Sequence, residues 1–157
     1  MQFYQLCART QSVIIQNIKD VLEHKTQKTN QKRIRKGETI MVNVGIIGAG
    51  RIGQVHMNSI LTRVPNAKIK AVADPFLSEE ADKKAKAAGA EYTTKDYKDI
   101  LADKDIDAVI ICSSTDTHSP ISIEAIKAGK HVFVEKPIDH DVDKIQRSYT
   151  NIRRNRT

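Results

Sequence analysis

The sequence is poor in the residues that build disulfide frameworks and metal sites. Only two of its 157 residues are cysteines, Cys7 and Cys112, and no Cys or His pair stands at the spacing of zinc ligands. No apolar run is long enough to cross a membrane, and residues 1–40 lack the contiguous apolar stretch of a secretory signal. We therefore expect no metal site and no membrane partner, and we expect a cytoplasmic protein.

Acidic residues are scarce at both ends of the chain. The formal net charge is +7, of which residues 1–40 carry +5 and residues 145–157 carry +4, so that residues 41–144 carry −2. A basic protein would ordinarily be expected to bind nucleic acid or an anionic membrane. Because the positive charge lies in the flanks, we predict no nucleic-acid partner for the central part of the chain.

Strand-like and helix-like segments alternate along this central part. Such alternation predicts a parallel sheet covered by helices on both faces, which is the doubly wound α/β class. Residues 109–112 and 132–134 are continuously apolar, as expected of strands that are covered on both faces. The predicted segments are 42–47, 52–62, 69–73, 78–88, 91–93, 96–102, 108–112, 120–128 and 131–134.

Start and stop residues support two of the predicted helices. Ser78 is a typical N-cap, and Gly89 is a typical stop for the segment that follows it. Ser119 followed by Pro120 predicts a second helix start, because proline is favoured at the first helical position. Gly129 predicts where that second helix ends.

Residues 44–53, VGIIGAGRIG, join an apolar strand to a G-x-G-x-x-G turn that opens a helix. Gly48 permits the tight turn, Gly50 lets the backbone approach a pyrophosphate, and Gly53 allows the helix to pack closely on the strand. The first N–H groups of the helix and the positive end of its dipole attract the phosphates. A glycine-rich turn without a ligand is the alternative, but the strand and helix on either side favour dinucleotide binding.

Asp74 ends the second predicted strand, where a dinucleotide site that prefers NAD places an acidic residue. Its carboxylate would accept hydrogen bonds from the adenosine ribose and repel the 2′-phosphate of NADP. Pro75, Phe76 and Leu77 follow, so no arginine stands directly beside it. The alternative interpretation is a turn residue before Pro75.

Two further loops follow predicted strands at the same edge of the sheet. Residues 113–118, SSTDTH, can hydrogen-bond a ribose or a nicotinamide amide, although His118 can equally cap or precede the next helix. Lys136 is the candidate catalytic residue, because an ammonium group beside a substrate hydroxyl stabilises the alkoxide that develops as hydride leaves. The alternative is an ion pair between Lys136 and Glu135 at an ordinary strand end. The candidate cofactor-binding residues are Gly48, Gly50, Arg51, Ile52, Gly53, Asp74, Ser113, Ser114, Thr115, His118, Glu135 and Lys136.

Four motifs in order carry a family resemblance: V-G-I-I-G-A-G-R-I-G-x-x-H at 44–56, A-D-P at 73–75, I-C-S-S-T-D-T-H at 111–118 and E-K-P-I at 135–138. Within residues 41–144 the chain resembles the N-terminal half of the glucose-fructose oxidoreductase and inositol dehydrogenase family, most of all the NAD-dependent inositol 2-dehydrogenases. The resemblance implies a Rossmann-type fold, NAD as cofactor, oxidation of a ring hydroxyl on a cyclic polyol or sugar, and Lys136 as the active-site lysine. It also implies a second domain, which supplies an Asp and a His to the substrate site and through which relatives form homo-oligomers.

The resemblance fades after Lys144. Residues 41–157 are therefore expected to form an NAD-binding domain that stops before the last strand of its sheet, with the substrate domain absent. Residues 145–157 hold four arginines and no acidic residue, and a frameshift is one hypothesis for this change, which the gene's nucleotide sequence would test. The two function classes are the cofactor half of a polyol dehydrogenase and a non-catalytic dinucleotide-binding fragment, inactive without the second domain.

Residues 1–40 are predicted to be a basic extension, either helical or disordered. Ile14, Ile18, Val21 and Leu22 have helical spacing, which predicts a short amphipathic helix. The basic residues 27–36 are predicted to be a solvated, disordered tail, with a nucleic-acid arm as the alternative. A further hypothesis is that Met41 is the true start, because codons for residues 36–41 can contain a bacterial ribosome-binding sequence.

Overall fold

The fold is a parallel sheet with helices between its strands. A computed structural model of the chain describes residues 41–141, together with residues 16, 19–21 and 23. In chain order the elements of residues 41–141 are β1 (Val42–Ile47), α1 (Arg51–Arg63), β2 (Ala67–Ala73), α2 (Glu79–Ala87), β3 (Tyr92–Thr94), α3 (Tyr97–Ala102), β4 (Ala108–Ile111), α4 (Thr115–Lys127) and β5 (His131–Val134). The predicted doubly wound α/β class is confirmed.

The strand order places a crevice at the carboxyl ends of the central strands. The strands lie in the order β3-β2-β1-β4-β5, and every neighbouring pair is parallel. The chain therefore builds outward from β1 on one side and then returns to place β4 on the other. The loops that follow β1 and β4 leave in opposite directions, and ligands of such sheets bind in the crevice between them.

The core lies in two apolar layers, one on each face of the sheet. Val44 and Ile46 of β1 pack in the layer that contains Ile60 of α1, whereas Ile47 packs in the layer that contains Ile121 of α4. This division follows from the two-residue period of a strand. Each fully buried aliphatic side chain contributes roughly 1.5–3 kcal/mol, so the two layers hold α1 and α4 firmly on opposite faces.

The prediction that the last helix begins at Pro120 was wrong. Helix α4 begins at Thr115, and Pro120 lies inside it. Proline suits the first turn, where its missing N–H is not needed, but inside a helix it removes one hydrogen bond. Buried residues on either side of the proline, His118 and Ile121, anchor both parts of the helix in the protein interior. Most of the predicted loop at 113–118 is therefore the first turn of α4.

Strand β5 is less buried than its apolar sequence predicted. Its four residues, His131–Val134, are all half-buried, whereas the four residues of β4 are all buried. In the described part of the chain β5 is the outer strand of the sheet, so a neighbouring strand covers it on one side only. Full coverage thus applies to β4 and not to β5.

The other predicted helix signals are confirmed. Ser78 Oγ accepts a hydrogen bond from the Ala81 N–H at 3.1 Å and caps α2. Gly89 and Gly129 follow α2 and α4 with φ of +93° and +77°, the left-handed conformation common at helix C-termini.

The N-terminal extension contributes one described residue to the core. Residues 16, 19–21 and 23 are helical, and Val21 is 6% exposed in the same apolar layer as Val42 and Val64. The remainder of the extension and residues 142–157 lie outside the described residues, so the Met41 and frameshift hypotheses stay predictions. Within the described residues, no helix is long and apolar enough to cross a bilayer.

Candidate functional site

A cavity of about 460 Å³ opens at the carboxyl ends of β1, β2 and β4. It lies where the strand order places the crevice, between the loops that follow β1 and β4. The structure brings five of the sequence-predicted residues together in its lining, namely Gly48, Gly50, Asp74, Ser113 and Ser114. The others are not in the lining: Arg51, Ile52 and Gly53 lie in the first turn of α1, Thr115 and His118 in α4, and Glu135 and Lys136 after β5.

The three glycines of the loop meet different surroundings. Gly48 has a φ of +107°, and a Cβ built on it would lie 2.5 Å from the Cys112 carbonyl oxygen. A Cβ on Gly53 would lie 2.0 Å from the Gly48 carbonyl oxygen, so α1 packs directly on the loop. A Cβ on Gly50 would meet nothing within 4 Å. Gly48 and Gly53 therefore shape the loop, and Gly50 leaves open space at the helix start.

The start of α1 is electrostatically suited to an anion. Gly50 is its N-cap, with no side-chain cap hydrogen bond, and its first turn contains no acidic residue. The first N–H groups of a helix lack partners within that helix, and together with the helix dipole they favour a negative group. The start of α1 therefore combines open space at Gly50 with a positive local potential.

Asp74 links the end of β2 to the glycine loop. Its Oδ2 accepts a hydrogen bond from the Ala49 N–H at 2.7 Å, and its Oδ1 accepts one from the Phe76 N–H at 2.8 Å. The contact with Phe76 makes Asp74 the turn residue before Pro75 that its alternative interpretation predicted. The contact with Ala49 connects this turn to the glycine loop. A carboxylate oxygen can accept more than one hydrogen bond, so Asp74 keeps acceptor capacity toward the cavity.

The segment after β4 presents hydroxyl groups to the cavity. Ser113 Oγ and Thr117 Oγ1 lie 2.7 Å apart, and Thr117 Oγ1 also donates to the Ser114 carbonyl at 2.7 Å. Cys112 lies beneath the glycine loop and donates to the Gly48 carbonyl at 3.3 Å. Burial raises the pKa of the Cys112 thiol to about 12, so this cysteine is a weak nucleophile.

His118 is not among the residues that line the cavity. Its ring is 2% exposed, with Nδ1 2.8 Å from the Pro137 carbonyl oxygen and Nε2 3.0 Å from the Ser113 carbonyl oxygen. Both ring nitrogens thus face backbone carbonyl oxygens of the protein. The structure places His118 between the segment after β4 and the segment after β5.

Glu135 pairs with a histidine rather than with the neighbouring lysine. His56 Nε2 lies 2.6 Å from Glu135 Oε1, and the His56 ring, 1% exposed, also makes an edge contact with Phe133. This hydrogen bond holds the pKa of the Glu135 carboxyl below its ordinary value, although burial opposes the shift. Lys136 is exposed, and its backbone N–H donates to Glu135 Oε2 at 3.3 Å.

Two residues of the site were missed in the sequence. His56 was not named as a candidate site residue, although it ends the first family motif and shares the buried face of α1 with Gly53 and Ile60, three residues before and four residues after it. Lys95 follows β3 and lines the same cavity as Asp74. A search for basic residues directly beside Asp74 could not find it, because the two strand ends meet only in the folded sheet.

Known proteins match the same part of the chain. Residues 42–157 match the family model described as "Oxidoreductase family, NAD-binding Rossmann fold". The scyllo-inositol 2-dehydrogenase (NAD(+)) of Bacillus subtilis is 41% identical over 97 residues, which are 62% of this chain and 28% of that protein. The inositol 2-dehydrogenase of Rhizobium meliloti is 44% identical over 105 residues, 67% of this chain and 31% of that protein.

The fold is also similar to that of a solved inositol dehydrogenase structure. The scyllo-inositol dehydrogenase of Lactobacillus casei with bound NAD(H) and scyllo-inositol superposes with a TM-score of 0.67 and 36% identity, covering 73% of this chain and 33% of that one. The chain spans about a third of the length of the relatives it matches.

Proposed function

Because the chain belongs to the oxidoreductase family with the NAD-binding Rossmann fold, we propose that it forms the cofactor half of an NAD-dependent dehydrogenase. The proposed reaction is oxidation of a ring hydroxyl on a cyclic polyol or sugar, as the names of the inositol dehydrogenase relatives suggest. The observation that carries the proposal is the open space at Gly50 beside Asp74, at the carboxyl edge of the sheet.

NAD would bind across this edge in three parts. The N–H groups at Gly50, Arg51 and Ile52 would hold the pyrophosphate, since they begin α1. Asp74 would accept hydrogen bonds from the adenosine ribose. The other ribose and the nicotinamide amide would lie toward the predicted cofactor-binding group after β4, which is Ser113, Ser114, Thr115 and His118. Of this group Ser113 and Ser114 line the cavity.

Lys136 is the proposed catalytic residue. Bound NAD supplies the hydride acceptor. An exposed ammonium at the end of β5 can lie beside the substrate hydroxyl, stabilise the developing alkoxide and favour loss of its proton. Glu135 would keep its charge through the hydrogen bond from His56 and would hold the main chain at Lys136.

The domain assignment follows the same match. We assign residues 41–157 to the NAD-binding domain and residues 1–40 to an extension that precedes it. The relatives are about three times as long as the matched region, so we propose that their remaining part supplies the polyol site. A chain of these 157 residues would then bind NAD without turning over a polyol.

Titration calorimetry with NAD and NADP, followed by an assay of inositol-dependent absorbance at 340 nm, tests the proposal on the purified chain. We expect NAD to bind, NADP to bind more weakly, and no NADH to form. Failure of NAD to bind would refute the cofactor site. Formation of NADH, abolished in Lys136→Met, would refute the prediction that this chain is non-catalytic and would support the role of Lys136.

A further inference from the structure

Two buried histidines on different helices contact the turn that carries Lys136. His56 lies on α1 and is 1% exposed, and His118 lies on α4 and is 2% exposed. The two helices pack in opposite apolar layers of the sheet. Burying a polar group is unfavourable unless it is hydrogen-bonded, so the partners of these rings show what each ring is held against.

On the α1 side, His56 acts through one nitrogen. Nε2 lies 2.6 Å from Glu135 Oε1, whereas Nδ1 is buried without a hydrogen-bond partner in the described part of the chain. A carboxylate can only accept, so Nε2 is the donor. The other carboxylate oxygen accepts from the Lys136 backbone N–H at 3.3 Å. Glu135 therefore joins the helix that begins at the glycine loop to the main chain of Lys136.

On the α4 side, His118 reaches the residue after Lys136. Its Nδ1 lies 2.8 Å from the Pro137 carbonyl oxygen, and its Nε2 lies 3.0 Å from the Ser113 carbonyl oxygen. Both acceptors are carbonyls, so a protonated ring donates to both and a neutral ring to one. When Nδ1 carries a proton, His118 donates to the Pro137 carbonyl and holds the segment after β5 against α4.

We infer that His56 and His118 are positioning residues, which hold the main chain on both sides of Lys136 and so fix where its ammonium group lies. The inference rests on the catalytic role proposed for Lys136. The Lys136 side chain is exposed, so its own packing cannot order it as a buried side chain would be ordered. The two contacts come from opposite faces of the sheet, and the His56 contact starts on the helix that would hold the pyrophosphate.

NMR relaxation on the ¹⁵N-labelled, cofactor-free 157-residue chain tests this inference. In the unmodified chain we expect an order parameter of about 0.85 for the Lys136 N–H, the value of rigid backbone. In His56→Leu and in His118→Leu we expect it to fall below about 0.6, the value of flexible backbone. His56→Gln keeps a side-chain N–H donor, so the order parameter of the Lys136 N–H should stay near that of the unmodified chain.

Ser59→Ala is the matched control. Ser59 is 2% exposed on the same helix as His56, but its hydroxyl donates to the Val55 carbonyl within that helix. This variant should leave the Lys136 order parameter unchanged. The ¹³C resonance of the Glu135 carboxyl gives a second readout: its pKa should rise in His56→Leu, because the hydrogen bond that lowers it is lost, and should not change in Ser59→Ala.

Unchanged order at Lys136 in folded His56→Leu and His118→Leu would overturn the inference. If His56→Leu does not fold, Glu135→Ala replaces it, since Glu135 is half-buried and its carboxylate contacts both His56 and the Lys136 N–H. Lys136 should then lose order, and retained order would refute the His56 part. If His118→Leu does not fold, His118→Gln, which lacks the Nδ1 donor, replaces it, and unchanged order in that variant would refute the His118 part. Titration of NAD into the unmodified chain separates the two proposals: absence of binding refutes the cofactor site, whereas the order parameters of the cofactor-free chain decide the positioning role alone.

Discussion

Gly50 and Gly53 stand three residues apart, but a methyl group added at each would meet opposite surroundings. At Gly53 the new Cβ would lie 2.0 Å from the Gly48 carbonyl oxygen and 3.3 Å from Cys112 Sγ. Ordinary contact begins at about 3.4 Å, so α1 would have to move by roughly 1.4 Å from the loop. At Gly50 the Cβ would meet nothing within 4 Å.

These distances set the expected free energies of unfolding. Overpacking against rigid atoms costs about 1–3 kcal/mol, and here the atoms are backbone, so we take the upper end. Replacing a helical glycine by alanine returns about 0.5–1 kcal/mol. Gly53→Ala should therefore be destabilised by about 2 kcal/mol, which lowers the melting temperature by roughly 8–16 °C in a domain of about 100 residues. Gly50→Ala should lose no more than about 1 kcal/mol, because alanine is a poorer N-cap than glycine but its methyl group meets no neighbouring atom.

Gly53→Ala is expected to have the larger effect on stability, whereas Gly50→Ala is expected to lower the affinity for NAD directly. The Gly50 methyl group would occupy the space assigned to the pyrophosphate, so we expect at least a tenfold loss of affinity, or about 1.4 kcal/mol. Thermal unfolding followed by circular dichroism and NAD titration by calorimetry measure both quantities. An unchanged melting temperature in Gly53→Ala would refute the close packing of α1 on the loop. Unchanged NAD affinity in Gly50→Ala would refute the pyrophosphate site.

Three further predictions concern other parts of the chain. Glu135 has a lowered pKa, so its contribution to stability is present above its ordinary value of 4.5 and is lost as the pH falls through the lowered value. Urea unfolding of Glu135→Gln should accordingly lose less stability below pH 4.5 than the unmodified chain does, and parallel curves would contradict this. Val21→Asp places a charge in the apolar layer and should lower stability by about 2–3 kcal/mol, whereas the exposed Lys19→Asp should stay within about 0.5 kcal/mol; equal urea midpoints would show that the N-terminal helix adds nothing. In a Cys7→Ser background, Cys112 should react with a thiol reagent more slowly in the folded chain than in urea, because burial raises its pKa to about 12, and equal rates would refute the raised pKa.

Local patterns in the sequence were enough to predict the sheet and the glycine loop. Apolar runs and their punctuating residues depend on near neighbours, and they located β1 and the cap at Ser78. The helix start predicted at Pro120 was wrong, because the preference of proline for the first turn is only local. Burial of His118 stabilises helix before the proline as well. The contacts of Glu135 with His56 and of Asp74 with Ala49 could not be predicted, because these residues meet only after the strands have been ordered.

If NAD binds as proposed, the hydrogen bond between Asp74 and Ala49 constrains how a preference for NAD can evolve. A change toward NADP would remove the Asp74 carboxylate, and Lys95 already lies in the same cavity as a cation that could meet a 2′-phosphate. The same substitution, however, also removes the acceptor of the Ala49 N–H and so loosens the loop that would hold the pyrophosphate. A single substitution of Asp74 would thus admit the 2′-phosphate of NADP but weaken binding of the two phosphates of the pyrophosphate. An effective switch needs a second substitution that supplies Ala49 with a new partner, and lineages that change cofactor along this route should carry both.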